Sequence, residues 1–340
     1  MNIKKNKPVI GISIGDINGI SAEVTMKALL DGRLAKLVTP VIYAHGKALT
    51  FYKRHLNLDE FNFMQIKSID DVHHKKINVI NVVDECPEVI PGVETREAGK
   101  MALAALNLAI SDLKEQKINA LVTAPLNKNN INSEELKFVG HTEYLTAAFG
   151  SQKSMMFLVS EDMRVGLVSG HVPLREVVHN ITQERIKEKL TIMLKSLETD
   201  FGILKPKIAV LGLNPHAGED GLLGSEEQEI ISPVIRAFKD RGEMVFGPYA
   251  SDGFFGMMHQ KKFDGILAMY HDQGLIPFKA VSFESGVNFT AGLPFIRTSP
   301  DHGTAYNIAG KNIAEPGSMR AAIFQAYDII KKSEHWEEED

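Results

Sequence analysis

The chain has 340 residues, of which 44% are hydrophobic and 24% are charged, a composition typical of folded globular proteins. Its formal net charge of −5 gives no overall basic surface of the kind that binds nucleic acid. The single cysteine, Cys86, excludes an internal disulfide and a zinc site built from several thiolates.

The length predicts two domains or lobes, because single hydrophobic cores stop growing at about 250–300 residues. The chain has no apolar run of the roughly 20 residues that a membrane span needs. The basic first seven residues are not followed by the longer apolar core of a secretory signal. We therefore expect a cytoplasmic protein with neither a nucleic acid nor a membrane as its partner.

Short apolar segments alternate along the chain with longer amphipathic ones. The apolar segments are β-branched or aliphatic with little alternation, as in strands covered on both faces; they are residues 9–14, 41–44, 119–123, 164–169, 207–213 and 265–270. Helical patterns occupy residues 21–30, 95–114, 182–197 and 226–241. Thr95 and Thr182 are predicted N-caps, whereas Pro233 puts the start of the last helix in question. The alternation predicts an α/β fold with mainly parallel sheets.

Three histidines, His171, His216 and His271, each follow the end of a predicted strand within a few residues. In open α/β sheets ligands bind at the carboxyl ends of the strands, so the three imidazoles have a common place to meet. Three neutral imidazoles and one open coordination position make a catalytic site for zinc or a similar ion. A histidine after a strand is also a common hydrogen-bonded loop residue, so the pattern alone leaves both interpretations open.

A second group of residues has the chemistry of anion recognition. Residues 140–143 (GHTE) follow a turn and open a helical pattern, where free backbone N–H groups favour a phosphate. Lys279, Asn288 and Arg297 lie in a Gly- and Pro-rich stretch, and the lysine and arginine side chains suit a phosphate or a carboxylate. Taken singly, each is more typical of a surface charge or a turn residue than of a phosphate site. The loop 15–21 joins a strand to a helix but lacks the glycine spacing of a Rossmann fingerprint.

Six collinear segments resemble the 4-hydroxythreonine-4-phosphate dehydrogenase family of pyridoxal phosphate biosynthesis. They span nearly the whole chain and are 122–128 (VTAPLNK), 140–143 (GHTE), 171–174 (HVPL), 212–219 (GLNPHAGE), 270–274 (YHDQG) and 292–299 (GLPFIRTS). Residues 302–310 (HGTAYNIAG) are also similar to the cofactor loop of isocitrate and isopropylmalate dehydrogenases. The resemblance implies their α/β fold, with two lobes, an active-site cleft between the lobes and an NAD site without the Rossmann motif. The expected lobes are residues 1–130 with 285–340, and residues 131–284.

The resemblance also assigns roles to matched residues. It implies a homodimer with a divalent ion (zinc, magnesium or cobalt) on His171, His216 and His271, where His271 completes the site of the partner chain. It implies substrate contacts at His141, Thr142, Lys279, Asn288 and Arg297. It implies a contact with NAD or NADP at His302, Gly303, Thr304 and Ala305. The candidates for the general base are Asp252, Asp272 and Lys279.

The first loop departs from the family pattern. Ile17 and Asn18 stand where members usually carry proline and a small residue, and Ser21 and Ala22 replace the following Gly-Pro, while Glu23 matches. The role of this loop is therefore open at the level of sequence.

The implied reaction is the NAD-dependent oxidation and decarboxylation of 4-phosphooxy-L-threonine to 3-amino-2-oxopropyl phosphate. A sister dehydrogenase acting on a four-carbon sugar-acid phosphate, such as threonate or erythronate 4-phosphate, would use the same metal, cofactor and phosphate contacts. A metal-dependent hydrolase or lyase without a nicotinamide is a third interpretation, since three histidines also suit water activation. The loop at His302 argues against a hydrolase or lyase, because it is similar to a cofactor loop. A metal-binding scaffold without catalysis is a fourth interpretation, but it would leave the predicted phosphate-binding residues without a role.

Overall fold

The computed structural model describes residues 7–132, 140–150 and 153–333. Its strands are Val9–Ser13 (β1), Thr39–Ala44 (β2), Phe63–Ile66 (β3), Ile77–Asn81 (β4), Ala120–Thr123 (β5), Met155–Val159 (β6), Arg164–Ser169 (β7), Ile208–Leu211 (β8), Val245–Tyr249 (β9), Gly265–Tyr270 (β10), Val287–Ala291 (β11) and Ile296–Pro300 (β12). Its α-helices are Ser21–Leu29 (α1), Leu34–Leu37 (α2), Gly46–His55 (α3), Arg96–Lys114 (α4), Lys128–Ile131 (α5), His141–Ala148 (α6), Leu174–Asn180 (α7), Gln183–Thr199 (α8), Ser232–Lys239 (α9), Ser251–Gly256 (α10), His271–Ser282 (α11) and Gly317–Lys332 (α12). No helix in the described ranges has both the length and the apolar character that crossing a membrane requires.

The chain divides into two compact units, residues 1–152 with 293–340, and residues 153–292. Both boundaries lie later than the positions 130 and 284 expected from the resemblance. At the first boundary, the ring centroids of Phe149 and Phe295 lie 3.9 Å apart, and this contact joins the end of α6 to the first unit. At the second boundary, β11 pairs with β6 inside the second unit.

Over its described residues, the first unit has six strands in the order β3-β4-β2-β1-β5-β12, and every pair of neighbours is parallel. All five residues of β1 are buried, which agrees with the nearly uniform apolar pattern of its sequence. Helix α4 packs against β1, β2 and β5, and α12 packs against β5 and β12. Thr95 caps α4 by accepting a hydrogen bond from the backbone N–H of Ala98, as predicted.

The second unit has six strands in the order β11-β6-β7-β10-β8-β9. The pairs β7–β10, β10–β8 and β8–β9 are parallel, whereas β6 runs antiparallel to both β7 and β11. Leu267 of β10 is aligned with Gly166 of β7 and Val210 of β8. Because these three strands are parallel and in register, their carboxyl ends lie at one edge of the sheet.

The helix predicted over residues 226–241 changes its hydrogen-bond pattern near its start. Glu227–Ile231 forms a π-helical turn, and α9 follows it directly from Ser232, with helical backbone angles at the junction. Pro233 has no backbone N–H, so it fits the first turn of α9, where no intrahelical donor is needed, and not the interior of a longer helix.

Helix α8 offers a direct test of the capping interaction. The side chain of Thr182 accepts a hydrogen bond from the backbone N–H of Arg185. Replacing Thr182 with alanine should lower the stability of the protein by about 1 kcal/mol, because this N–H loses its partner. Thermal unfolding should show a lower Tm for Thr182→Ala and an almost unchanged Tm for Thr182→Ser. Equal Tm values for Thr182→Ala and the parent protein would contradict the capping role.

Candidate functional site

The carboxyl edge of the β7, β10 and β8 strands carries the three histidines selected from the sequence. His171 lies two residues beyond β7, His271 is the first residue of α11, and His216 lies in the turn after β8. The rings of His171 and His271 are neighbours, with centroids 5.6 Å apart and planes inclined by 44°. The structure thus brings His171 and His271 together within one chain, whereas the resemblance implies that His171 and His216 share a chain and that His271 serves the partner's site.

Asp272 contacts the second of these imidazoles. Its Oδ1 lies 2.7 Å from Nδ1 of His271. A carboxylate at this position favours the tautomer in which Nδ1–H donates, and the lone pair on Nε2 is then the one that faces a ligand. The contact gives Asp272 an orienting role toward His271.

His216 lies in an unusual backbone segment. The five consecutive residues from His216 to Asp220 have φ between 43° and 81°, the left-handed region. Such a conformation costs about 1–2 kcal/mol for each residue other than glycine, so the surrounding structure must hold it in place. Within the described residues, no three His, Cys, Asp or Glu side chains are grouped closely enough to hold a metal ion. His216 therefore does not join His171 and His271 in one chain, and a shared site with a partner chain stays a prediction.

The carboxylate of Glu227 holds the segment that leads to His216. This side chain is 3% exposed, and its Oε1 accepts hydrogen bonds from the backbone N–H groups of Leu213 and Asn214, both at 2.7 Å. Oε2 accepts from the Asn214 side chain at 3.0 Å. A Cβ on Gly218 would lie 2.6 Å from Oε2, so a residue without a side chain is needed there. Sequence reasoning missed Glu227, because it stands in the polar run 225–229 (SEEQE), where nothing distinguishes it from the neighbouring glutamates.

In the first unit, the loop 15–21 is bound to the segment that follows β12. Asp16 is fully buried; its Oδ2 accepts from the hydroxyl of Tyr306 at 2.7 Å and from the side chain of Asn130 at 2.6 Å. The backbone N–H of Ile20 donates to the carbonyl of Thr304 at 2.9 Å. Burial and the contact with Asp16 raise the pKa of Tyr306, so its hydroxyl keeps the proton that it donates. The loop whose sequence departs from the family pattern is thus a support for residues 302–306.

Asn18, one of the departures, has a structural explanation. Its side chain donates to the Thr95 hydroxyl at 3.0 Å and accepts from the backbone N–H of Ile90 at 2.8 Å. Its backbone carbonyl accepts a hydrogen bond from the backbone N–H of Gly92 at 2.7 Å. The asparagine therefore fixes residues 90–95 beside the loop 15–21. Sequence reasoning missed the structural roles of Asp16, Asn18, Asn130 and Tyr306, because most of their partners are distant along the chain.

The predicted substrate contacts of the first unit lie at the ends of its elements. Arg297 on β12 is 2% exposed and donates through Nε and Nη2 to the hydroxyl of Thr123, at 3.1 and 2.6 Å. His141 and Thr142 are the first two residues of α6, as the sequence pattern predicts for the start of this helix. Burial lowers the pKa of His141 well below its usual 6.5, and the positive charges of Arg297 and Lys128 lower it further. A neutral imidazole and a buried guanidinium therefore belong to one group.

The remaining candidates belong to the second unit. Lys279 lies in the last turn of α11, and Asn288 lies on β11 opposite Leu158. Asp252 is exposed in the first turn of α10. In the first unit, His302 contacts its neighbour Gly303, and Ala305 has a left-handed backbone conformation with φ of 42°.

Imidazoles at the carboxyl ends of parallel strands are typical of an α/β enzyme with its chemistry at the strand ends. The family model described as pyridoxal phosphate biosynthetic protein PdxA matches residues 36–326, and the chain belongs to this family. The resemblance seen in the sequence is thereby confirmed.

Individual relatives agree with this assignment. The chain is 48% identical to a 4-hydroxythreonine-4-phosphate dehydrogenase of Bacteroides thetaiotaomicron, over 97% of this chain and 90% of that protein. It is 37% identical to a D-threonate 4-phosphate dehydrogenase of Pectobacterium atrosepticum, over 94% of this chain and 99% of that protein. The crystal structure of a 4-hydroxythreonine-4-phosphate dehydrogenase from Klebsiella pneumoniae matches with a TM-score of 0.82 and 34% identity, over 97% of this chain and 99% of that chain. The chain is therefore an oxidoreductase, and the predicted α/β fold is confirmed; the hydrolase and scaffold interpretations are not supported.

The neutral state of His141 predicts a pH dependence of stability. Because its pKa in the folded protein is below the 6.5 of a free histidine, the unfolded chain takes up a proton that the folded chain resists. The contribution of the neutral His141 imidazole to the stability is therefore fully present above pH 6.5. It is lost progressively as the pH decreases from 6.5 toward the lowered pKa. His141→Gln should give a shallower fall of the free energy of unfolding between neutral and mildly acidic pH. The exposed His179→Gln is the control and should keep the parental slope; a parental slope in His141→Gln would refute the assignment.

Proposed function

We propose that the chain catalyses the NAD- or NADP-dependent oxidation and decarboxylation of 4-phosphooxy-L-threonine (4-hydroxythreonine 4-phosphate) to 3-amino-2-oxopropyl phosphate, in the cytoplasm and as a step of pyridoxine 5′-phosphate biosynthesis. The observation that carries the proposal is the pair His171–His271 at the strand ends, with ring centroids 5.6 Å apart, in a chain 48% identical to a dehydrogenase named for this substrate.

We further propose that His171, His216 and His271 hold a divalent ion, which is zinc, magnesium or cobalt. The spacing of the His171 and His271 rings is compatible with two imidazoles on one ion, because each metal–nitrogen bond is about 2.0–2.1 Å long. The contact of Asp272 with Nδ1 of His271 supports the same role, since metal-binding imidazoles usually donate their other N–H to a carboxylate or carbonyl. When bound, such an ion lowers the pKa of a coordinated hydroxyl and polarises a carbonyl.

The phosphate of the substrate is assigned to the cationic and imidazole groups. Arg297 is held by the Thr123 hydroxyl through two donors, which fixes the plane of its guanidinium. His141 stays neutral and is suited to a hydrogen bond with a phosphate oxygen, and Thr142 follows it at the start of α6. Lys279 and Asn288 complete the proposed set. Fixing the phosphate orients the carbon from which hydride leaves.

Proton removal is assigned to Asp252 or Lys279. Asp272 was the third candidate, but its Oδ1 is engaged by His271 at 2.7 Å, which supports orientation of the imidazole as its role. Asp252 is an exposed carboxylate at the start of α10, and Lys279 lies on α11, the helix that begins with His271.

The segment from His302 to Ala305 is assigned to the nicotinamide cofactor. It is held by the loop 15–21 through the bond from Ile20 to Thr304 and through the contact of Tyr306 with Asp16. Such support favours binding because a segment that is already ordered loses less conformational entropy when a ligand binds.

We propose that the active form is a homodimer. Exposed large apolar side chains are concentrated in the second unit, and those on or beside α7 and α11 are Leu174 (73% exposed), Val178 (49%), Ile276 (67%), Val281 (52%) and Phe283 (72%). These two helices follow the strands that lead to His171 and His271. Apolar surface of this kind marks a site of association, and a second copy placed there would bring its own histidines close to these.

A sugar-acid phosphate is the second candidate substrate. The relative from Pectobacterium atrosepticum is named for D-threonate 4-phosphate, and the match covers 94% of this chain. Both substrates have a phosphate, a secondary hydroxyl and a carboxylate, and they differ in the amine.

An assay with purified protein separates the candidates. The protein should be given NAD or NADP, one divalent ion at a time, and either 4-phosphooxy-L-threonine or D-threonate 4-phosphate, while reduced nicotinamide and carbon dioxide are measured. We expect turnover with the aminated substrate and loss of turnover after chelation. Turnover with D-threonate 4-phosphate alone would show that the protein is a sugar-acid phosphate dehydrogenase. Turnover that survives chelation would contradict the metal role.

The cofactor assignment is tested at Gly19. A Cβ at this position would lie 2.7 Å from the carbonyl oxygen of Thr304, so Gly19→Ala must displace the proposed cofactor segment. We expect the KM for NAD to rise about tenfold, since small misplacements of binding groups are costly. The control is Gly32→Ala, because a Cβ there meets nothing within 4 Å. A rise in the KM for the phosphorylated substrate alone would count against the assignment.

A further inference from the structure

The side chain of Gln273 connects three separate segments of the second unit. Its Oε1 accepts a hydrogen bond from the backbone N–H of Met269 at 2.6 Å. Its Nε2 donates to the carbonyl of Gly212 at 2.6 Å and to the hydroxyl of Ser251 at 2.7 Å. Both protons of the amide nitrogen are therefore used, and the three contacts end on three different elements.

Each of these elements leads to a residue with a proposed role. Met269 is on β10, two residues before His271, and Gly212 directly follows β8, four residues before His216. Ser251 is the first residue of α10 and the neighbour of Asp252. One side chain thus links the ends of two strands and the start of a helix.

Gly212 begins a short stretch of backbone, residues 212–214, that is held by hydrogen bonds at each residue. The N–H of Gly212 donates to the carbonyl of Tyr249 at 2.8 Å, and the next two N–H groups, of Leu213 and Asn214, donate to Glu227. A Cβ on Gly212 would lie 2.9 Å from Cα of Ala217, so this stretch also packs closely on the turn that contains His216. A shift of Gly212 therefore moves the whole turn.

We propose that Gln273 is a positioning residue that sets the spacing of the segments bearing His216, Asp252 and His271. It acts through the backbone and through Ser251, without itself touching substrate or metal. The inference rests on the proposed metal and substrate roles of those three residues, and it concerns the side chain that holds their three segments in place.

The chemistry of the amide explains why glutamine stands here. A glutamate would keep an acceptor for Met269, but it would place a carboxylate oxygen about where Nε2 now meets the Gly212 carbonyl at 2.6 Å, with no proton between the two oxygens. The Ser251 hydroxyl can turn and donate to that oxygen, whereas the Gly212 carbonyl has no proton to donate. Gln273→Glu therefore removes the Gly212 contact with almost no change of side-chain volume. The control is Gln228→Glu, an exposed position of the same unit with the same change of charge.

The first measurement needs no metal and compares backbone hydrogen exchange in the full chain. Gln273→Glu should exchange faster than the parent in the segments around residues 210–220 and 249–254, while the rest of the second unit and the first unit stay unchanged. Gln228→Glu should match the parent in all of them. Uniformly faster exchange throughout the second unit would overturn the proposal, because it would show a general loss of stability.

The second measurement is binding of Co²⁺ to the metal-free protein, followed by visible absorption, together with steady-state kinetics. Supporting residues around metal ligands affect affinity by about 10–100-fold, and we expect a loss in that range for Gln273→Glu. The kcat should fall with little change in the KM for NAD, because the proposed cofactor segment belongs to the other unit. Co²⁺ affinity and kcat equal to those of Gln228→Glu would overturn the proposal. If the parent itself binds no Co²⁺, the metal role fails, and the exchange data alone decide whether Gln273 positions the three segments.

Discussion

Buried side chains that satisfy backbone N–H and carbonyl groups hold the strand-end loops of this protein in place. Removing a carboxylate from water is costly unless it receives several hydrogen bonds. Asp16 receives three, from Asn18, Asn130 and Tyr306, and Glu227 also receives three, from Leu213 and from the backbone and side chain of Asn214. The loop 15–21 and the turn after β8 are consequently bound to side chains that lie outside them.

The His216 turn shows what this support makes possible. Five successive left-handed residues are unfavourable for an isolated peptide, and the turn persists because Glu227 and the close approach of Gly212 and Gly218 determine its path. Rigid presentation suits a ligand-binding histidine, since affinity and catalysis both fall when such groups are loosely held. Asp16 gives the segment of Thr304 and Tyr306 the same kind of support in the first unit.

Much of the architecture could be predicted from local patterns. The uniformly apolar segments are strands, and the caps Thr95 and Thr182 make the predicted contacts, because both depend on residues close in sequence. The helix over 226–241 was predicted too simply: periodicity describes which face is apolar, but not the π-helical turn ahead of Pro233. Six strands were not predicted: β3, β4, β6, β9, β11 and β12. In β3 and β9 the residues are mostly only partly buried, and the apolar pattern is weak.

The sequence by itself determined the family, the α/β class and the histidines and cations that carry the proposed chemistry, because these depend on residue identity and on order along the chain. The tertiary structure alone decided which of them meet. It paired His171 with His271, placed Arg297 and a neutral His141 in one group, and made the divergent loop 15–21 a support for residues 302–306. Contacts such as Asp16–Tyr306 and Gln273–Gly212 join residues 290 and 61 positions apart, and no local pattern encodes them. They arise only when parallel strands bring their carboxyl ends to one edge.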